Sequence, residues 1–286
     1  MRPVESPWGR FGLKAPPGFA IPFMTLFRSV VFQILFYANL AGQMLLYLPV
    51  FFLLPERACW WIVKSWGRSS LFLLRWLAGT RSELTGQENI PAGPVLVASK
   101  HQSFWEVIAL LPHLEKPTFI LKKELMGIPV FGWYAQRMGM IPVDRKRRGA
   151  VLPSLLAEAR KAIADGRQII IFPEGTRAAP GATPNYRPGI HFLYDALSLT
   201  IVPVALNSGL FWPRKAVRRQ PGTIRAEFLP PIGPGLTRAA LLGELGGRIE
   251  ARSDALMREA LSDYPALPVS PLLAAHLDQV PTPASS

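Results

Sequence analysis

The chain has 286 residues, with 32 Lys+Arg against 19 Asp+Glu and a net charge of +13. Hydrophobic residues make up 49% and charged residues 18%, below the roughly 25% usual in soluble globular domains, so a mainly disordered chain is excluded. A lone cysteine, Cys59, excludes a disulfide scaffold, and beside four histidines it excludes a cysteine-rich zinc module. So much positive charge on so apolar a chain fits an anionic membrane surface better than nucleic acid, and no RNP, zinc or helix-turn-helix pattern is present.

No charged residue occurs between Arg28 and Glu56, and Gln33, Asn39 and Gln43 are the main polar interruptions of residues 29–55. A helix crosses a hydrocarbon core with about 20 apolar residues, so this stretch is long enough to span. It is too long for a removed signal peptide and lacks a small-residue cleavage pattern. Arg2, Arg10, Lys14 and Arg28 precede it; Arg57, Lys64, Arg68, Arg75 and Arg81 follow it. With both flanks basic, the positive-inside rule does not choose an orientation. A hairpin broken near Gly42 or Pro49 that dips into one leaflet fits that symmetry too, and a buried core hairpin is the third reading. Residues 58–78 mix Trp and Leu with spaced Lys and Arg, as an interfacial amphipathic helix does.

From about Ser82 the texture changes to short β-rich runs alternating with helical stretches. Strands are expected over 94–98, 118–121, 140–143, 168–172, 201–206 and 223–229, with Pro203 placing its strand at an edge or bulge. Helices are expected over 150–164, where Val151, Leu155, Ala159 and Ile163 recur at spacing four, over 189–198 and over 236–261. This alternation predicts an α/β fold: a mixed, largely parallel sheet flanked by helices, with an N-terminal membrane-attached helical segment. The organisation expected is an anchoring region at 1–81, an α/β domain at 82–262 and a Pro-rich, loosely ordered tail at 263–286.

The first chemical constellation is Ser99-Lys100-His101-Gln102-Ser103-Phe104-Trp105-Glu106, just after a buried strand, where α/β folds place their sites. On one continuous helix His101 and Glu106 do not share a face. They meet if His101 lies in the loop and Ser103 caps a helix that carries Glu106 in its first turn. The carboxylate then fixes the imidazole through Nδ1 and leaves Nε2 to take a proton from a substrate hydroxyl. The competing reading is a capping box, in which Glu106 only bonds backbone.

The second constellation is Phe172-Pro173-Glu174-Gly175-Thr176-Arg177, directly after a predicted strand. Gly175 permits a tight turn, Thr176 adds a hydroxyl, and Arg177 offers a planar fork suited to phosphate. The alternative is an ordinary turn with Arg177 paired to Glu174. His113, His191 and His276 belong to no such pattern and read as structural or exposed.

Together these stretches resemble the lysophosphatidic acid acyltransferases (1-acyl-sn-glycerol-3-phosphate acyltransferases) of the glycerolipid acyltransferase superfamily. The H-x4-D motif is matched by His101 and Glu106, and F-P-E-G-T-R by residues 172–177 in full. The second block is matched by Lys122-Lys123-Glu124-Leu125, Pro129-Val130-Phe131-Gly132 and Gly139-Met140-Ile141-Pro142-Val143-Asp144-Arg145, and the fourth by Ile201-Val202-Pro203-Val204. Glu106 departs from the family's usual Asp, and Tyr186-Arg187-Pro188-Gly189 stands where relatives tend to be lysine-rich, with Arg187 taking over the charge.

The resemblance implies transfer of a fatty acyl group from acyl-CoA or acyl carrier protein to the 2-hydroxyl of 1-acylglycerol 3-phosphate, giving phosphatidic acid. An alternative is the same chemistry on another lyso-lipid, such as a lyso-ornithine lipid. By the same resemblance His101 is the general base and Glu106 orients it. Arg145 and Arg177 hold the phosphate with Thr176, and Glu174 and Gly175 shape the loop. It implies no metal and no bound cofactor beyond the thioester co-substrate, no nucleic-acid partner, and a membrane-associated protein whose site faces the cytoplasm. Lys122, Lys123, Lys146, Arg147 and Arg148 read either as a surface for anionic headgroups or donor, or as solvated charge.

Overall fold

The structure is a computed structural model that describes residues 23–144 and 151–280. An apolar helix α1 (Phe23–Phe51) runs unbroken past Gly42 and Pro49, and α2 (Glu56–Leu73) returns and ends in a π-helical turn, Leu74–Ala78. The break therefore falls at residues 52–55. Pro49 removes one bond, the one its position would otherwise donate to the Leu45 carbonyl, and α1 ends two residues later.

Of the 29 residues of α1, only Ser29, Phe32, Phe36 and Phe51 are buried. Phe23, Phe27, Ile34, Leu45 and Leu46 on α1, and Trp61, Phe72 and Trp76 beyond it, are exposed. This overturns the core-hairpin reading, because a core helix hides its large apolar side chains. The polar interruptions form the seam: Asn39 Nδ2 donates to Ser69 Oγ at 2.9 Å, and Gln43 Nε2 to the same oxygen at 2.9 Å.

The sheet begins at β1 (Thr80–Thr85), just before the change of texture in the sequence. Then follow β2 (Val95–Ser99), α3 (Trp105–Ala109), β3 (Pro117–Lys122), α4 (Phe131–Arg137), β4 (Ile141–Val143), α5 (Val151–Ala164), β5 (Gln168–Ile171), α6 (Gly189–Leu197), β6 (Ile201–Leu206), α7 (Ser208–Phe211), β7 (Gly222–Phe228), α8 (Arg238–Asp263) and α9 (Pro271–Gln279). Among the described residues, seven strands form one sheet in the order β1-β7-β6-β2-β5-β3-β4. The pair of β6 and β7 is antiparallel and the others are parallel. β6 is thus interior, correcting the edge expected from Pro203. Its ladder to β7 starts at Val204, one residue past the proline that lacks a donor.

Every residue of β2 is buried, as a strand covered on both faces requires. Val95 and Val97 face a core that includes Phe32 and Phe36 of α1 and Trp105 of α3. Leu96 and Ala98 face the other core, with Leu155 and Ala159 of α5 and Leu245 and Ile249 of α8. The apolar helix α1 and the sheet therefore share one core.

The tail is ordered over α9, contrary to the loose order expected from its prolines. Ser270 caps that helix by accepting from the Leu273 amide at 3.2 Å, and Leu273 and Leu277 join the core. Arg258 donates to the carbonyls of Leu277 and Val280, and His276 Nε2 lies 2.9 Å from Asp254 Oδ1.

Candidate active site

β2 and β5 are neighbouring parallel strands with Ala98 opposite Ile171. His101 and Glu174 each lie three residues beyond that pair, so both motifs leave the sheet side by side at its carboxyl end. The His101 amide donates to Glu174 Oε2 at 2.9 Å, and the Ala178 amide donates to the His101 carbonyl at 2.8 Å. The loop after β5 thus grips the histidine backbone on both sides. Gly175 makes the turn possible at φ 69°, a left-handed conformation that costs glycine nothing.

His101 Nδ1 lies 2.9 Å from Glu106 Oε1. The same oxygen accepts from the Gln102 amide at 2.7 Å and the Ser103 amide at 2.8 Å. Oε2 accepts from Ser103 Oγ and Ser208 Oγ, each at 2.9 Å. An ionised carboxylate has only lone pairs to offer, so the proton of this contact belongs on Nδ1, and Nε2 is left as an acceptor. Glu106 bonds the backbone behind it and the imidazole together, so the reading in which it bonds backbone alone does not hold. The helix itself starts later than expected, at Trp105, and Ser103 Oγ accepts from the Trp105 amide at 2.9 Å.

The His101 side chain is 16% exposed and its ring stacks on Phe172 with centroids 3.9 Å apart. This holds the imidazole at the surface of the loop while leaving one edge open. Glu174 is buried and pairs with Lys100, whose Nζ is 3.5 Å from Oε1. Burial pushes the Glu174 carboxyl up from its ordinary range, and the Lys100 ammonium and the His101 amide pull it back.

Glu174 does not pair with Arg177, so the ordinary-turn reading fails. Among the described residues the guanidinium of Arg177 has no acidic or hydrogen-bonding partner, while its carbonyl accepts from Arg214 Nη1 at 3.1 Å. Thr176 and Arg187 are exposed on the same loop. Arg145, with Lys146, Arg147 and Arg148, lies outside the described residues. Ser208 was not singled out from sequence. It stands just after β6, which pairs with β2, and only that pairing reveals it.

A buried carboxylate fixes the His101 imidazole, and Arg177 precedes Ala178, whose amide bonds the His101 carbonyl. A family model described as Acyltransferase matches residues 81–207. The 1-acyl-sn-glycerol-3-phosphate acyltransferase of Pseudomonas aeruginosa is 33% identical over 233 residues, covering 81% of this chain and 91% of its own length. This chain belongs to the 1-acyl-sn-glycerol-3-phosphate acyltransferase family. The mouse 1-acyl-sn-glycerol-3-phosphate acyltransferase alpha is 29% identical over 175 residues, 59% of this acyltransferase and 61% of the mouse protein. The crystal structure of the 1-acyl-sn-glycerophosphate acyltransferase PlsC from Thermotoga maritima superposes with a TM-score of 0.66 over 80% of this chain and 97% of that one, at 20% identity. That likeness establishes the fold of this acyltransferase, a mostly parallel sheet with flanking helices.

Proposed function

We propose that this acyltransferase moves a fatty acyl group from acyl-CoA or acyl carrier protein to the sn-2 hydroxyl of 1-acylglycerol 3-phosphate, forming phosphatidic acid. The observation that carries this is the 2.9 Å contact of His101 Nδ1 with buried Glu106, which leaves Nε2 as a base on a loop whose backbone is bonded to the segment that carries Arg177. Nε2 takes the hydroxyl proton as the oxygen attacks the thioester carbonyl carbon. Glu106 stabilises the imidazolium that forms. The tetrahedral intermediate collapses with cleavage of the C–S bond, and the imidazolium returns its proton to the departing thiolate. Backbone N–H groups supply the oxyanion contacts. The thioester is already activated, so the scheme calls for no metal or bound cofactor.

Arg177 supplies the acceptor phosphate contact, with Thr176 from the same loop. Arg177→Ala is expected to raise KM for the phosphate acceptor by about tenfold, with a smaller change in kcat. Steady-state kinetics across a panel that includes a lyso-ornithine lipid checks this; an unchanged KM moves the phosphate site elsewhere, and a preference for the ornithine acceptor replaces the substrate.

The membrane attachment follows from how α1 is fastened. Near its start the Arg219 amide donates to Ser29 Oγ at 2.9 Å, and Arg219 Nη2 donates to Gln33 at 2.7 Å. Near its end Tyr134 donates to the Met44 carbonyl at 2.8 Å and stacks on Phe51, and Arg137 donates to the Leu54 carbonyl at 2.9 Å. A helix tied to one domain along its length lies on that domain, so its exposed face enters a single leaflet. The site is placed on the cytoplasmic side because the thioester donors, acyl-CoA and acyl carrier protein, are there. Replacing Ile34, Leu45 and Leu46 together by Gln, which removes apolar surface without adding positive charge, is expected to cut vesicle binding by at least about tenfold while leaving thermal stability unchanged. Co-sedimentation with anionic vesicles measures it, and full retention on the vesicles contradicts the single-leaflet geometry.

A further inference from the structure

Lys100 is almost wholly buried between the last residue of β2 and His101. A buried ammonium is expensive unless paired, and this one is paired twice. Its Nζ lies 2.6 and 2.7 Å from the two oxygens of Glu250 on α8, and 3.5 Å from Glu174 Oε1. Tyr186, on the chain leading into α6, donates its hydroxyl to Glu250 Oε1 at 2.8 Å. Burial and the neighbouring Glu250 push the Tyr186 phenol up, so it stays a donor. The far side of Glu174 holds the His101 amide at 2.9 Å. One continuous relay therefore runs from α8 to the backbone of the proposed base, through Glu250, Lys100 and Glu174.

We infer that Glu250 and Tyr186 are positioning residues of this site: they clamp Lys100, which holds Glu174 against the His101 amide and so fixes the imidazole in place. Neither touches substrate. Glu250 presents both oxygens to the ammonium at 2.6 and 2.7 Å, and from there Lys100 reaches Glu174 at 3.5 Å. Without that clamp Lys100 can swing away, and Glu174 loses the cation that keeps its second oxygen on the amide. Lys100, Glu174 and Glu250 are one cation between two anions. Glu250→Gln removes one of these charges at nearly constant volume, which makes it the cleaner probe than any change at Lys100.

The test uses the full chain in detergent micelles and reads two quantities. Hydrogen–deuterium exchange, with overlapping peptides across residues 99–104 subtracted to isolate the His101 amide, reads the clamp whatever the enzyme acts on. In Glu250→Gln that exchange is expected to quicken by about tenfold, and in Tyr186→Phe by about threefold. Acyl transfer is the second readout and rests on the acyltransfer reading: kcat is expected to fall by about tenfold in Glu250→Gln, with KM for donor and acceptor within about twofold of wild type. If Glu250→Gln does not fold, Tyr186→Phe, which gives up a single hydrogen bond, decides alone. Unchanged exchange in the folded variants overturns the clamp. Faster exchange with unchanged kcat overturns its catalytic consequence. If the wild type transfers no acyl group from any thioester, the functional reading falls and the exchange result still decides the clamp.

Discussion

Replacing His101 by alanine is expected to lower kcat for acyl transfer by roughly a thousandfold, with the protein still folded and vesicle-bound. The size follows from what is lost. Nε2 is the acceptor left free by the Glu106 contact, and no second histidine stands in either motif. What remains is proximity of hydroxyl and thioester, which no longer has a proton acceptor. Stability changes modestly: the partly exposed side chain gives up one ring stack on Phe172 and its bond to Glu106, whose carboxylate keeps its four other donors. Thermal unfolding and vesicle co-sedimentation, run beside the activity assay, separate chemistry from folding. Activity within tenfold of wild type removes the histidine mechanism.

Glu106 is expected to behave differently, since it serves structure and chemistry together. Glu106→Ala leaves two buried amides and two buried hydroxyls without their acceptor, as well as Nδ1. Each orphaned buried donor costs about 1–3 kcal/mol, so even with partial relaxation the loss is about 3–5 kcal/mol. For a chain of this size that lowers Tm by about 10 °C, measured by differential scanning fluorimetry. Activity falls at least as far as in His101→Ala. Glu106→Asp is the sharper comparison. It restores the acid usual in the family, yet withdraws the carboxylate by about 1.5 Å, one C–C bond. The shortened side chain still reaches the Ser103 amide but cannot also span Nδ1 and Ser208. We expect kcat to drop by about tenfold with a smaller loss of Tm. An aspartate variant as active as wild type shows that the extra methylene has no geometric role here.

The readable parts of the fold were those whose burial is written locally. β2, β5 and β6 are short apolar runs because both faces are covered, and their limits in the sequence match the structure within a residue. β1 was missed for the opposite reason: Thr-Arg-Ser-Glu-Leu-Thr is an edge strand that buries only Thr80. The sequence places the turn between α1 and α2 too early: Gly42 lies inside α1, and the helix carries on two residues past Pro49 before it ends. α9 was hidden by the prolines around it, although Ser270 followed by Pro271 is a cap and first-turn signal.

The site shows the same division. His101, Glu106 and residues 172–177 were legible because each motif is contiguous and follows a strand. The partners that hold them were not. Ser208 lies 102 residues from Glu106, and Glu250 lies 150 residues from Lys100. Such contacts are set by strand order and by the course of α8, neither of which leaves a mark in the local pattern. That Arg177 is unpaired also needed the fold, since its sequence neighbour Glu174 turns inward to Lys100 instead.

The burial of Phe32 and Phe36 beneath Trp212, with ring centroids 5.3 and 5.8 Å away, has a practical consequence. A tether can be cut to yield a water-soluble fragment, but cutting here would tear out part of the hydrophobic interior. Trimming therefore yields an adhesive, half-built particle, not a crystallisable catalyst. With Phe23, Phe27, Ile34, Leu45 and Leu46 exposed on that helix, preparation is expected to need an amphiphile from the first extraction step, and a soluble form to need those outward positions made polar.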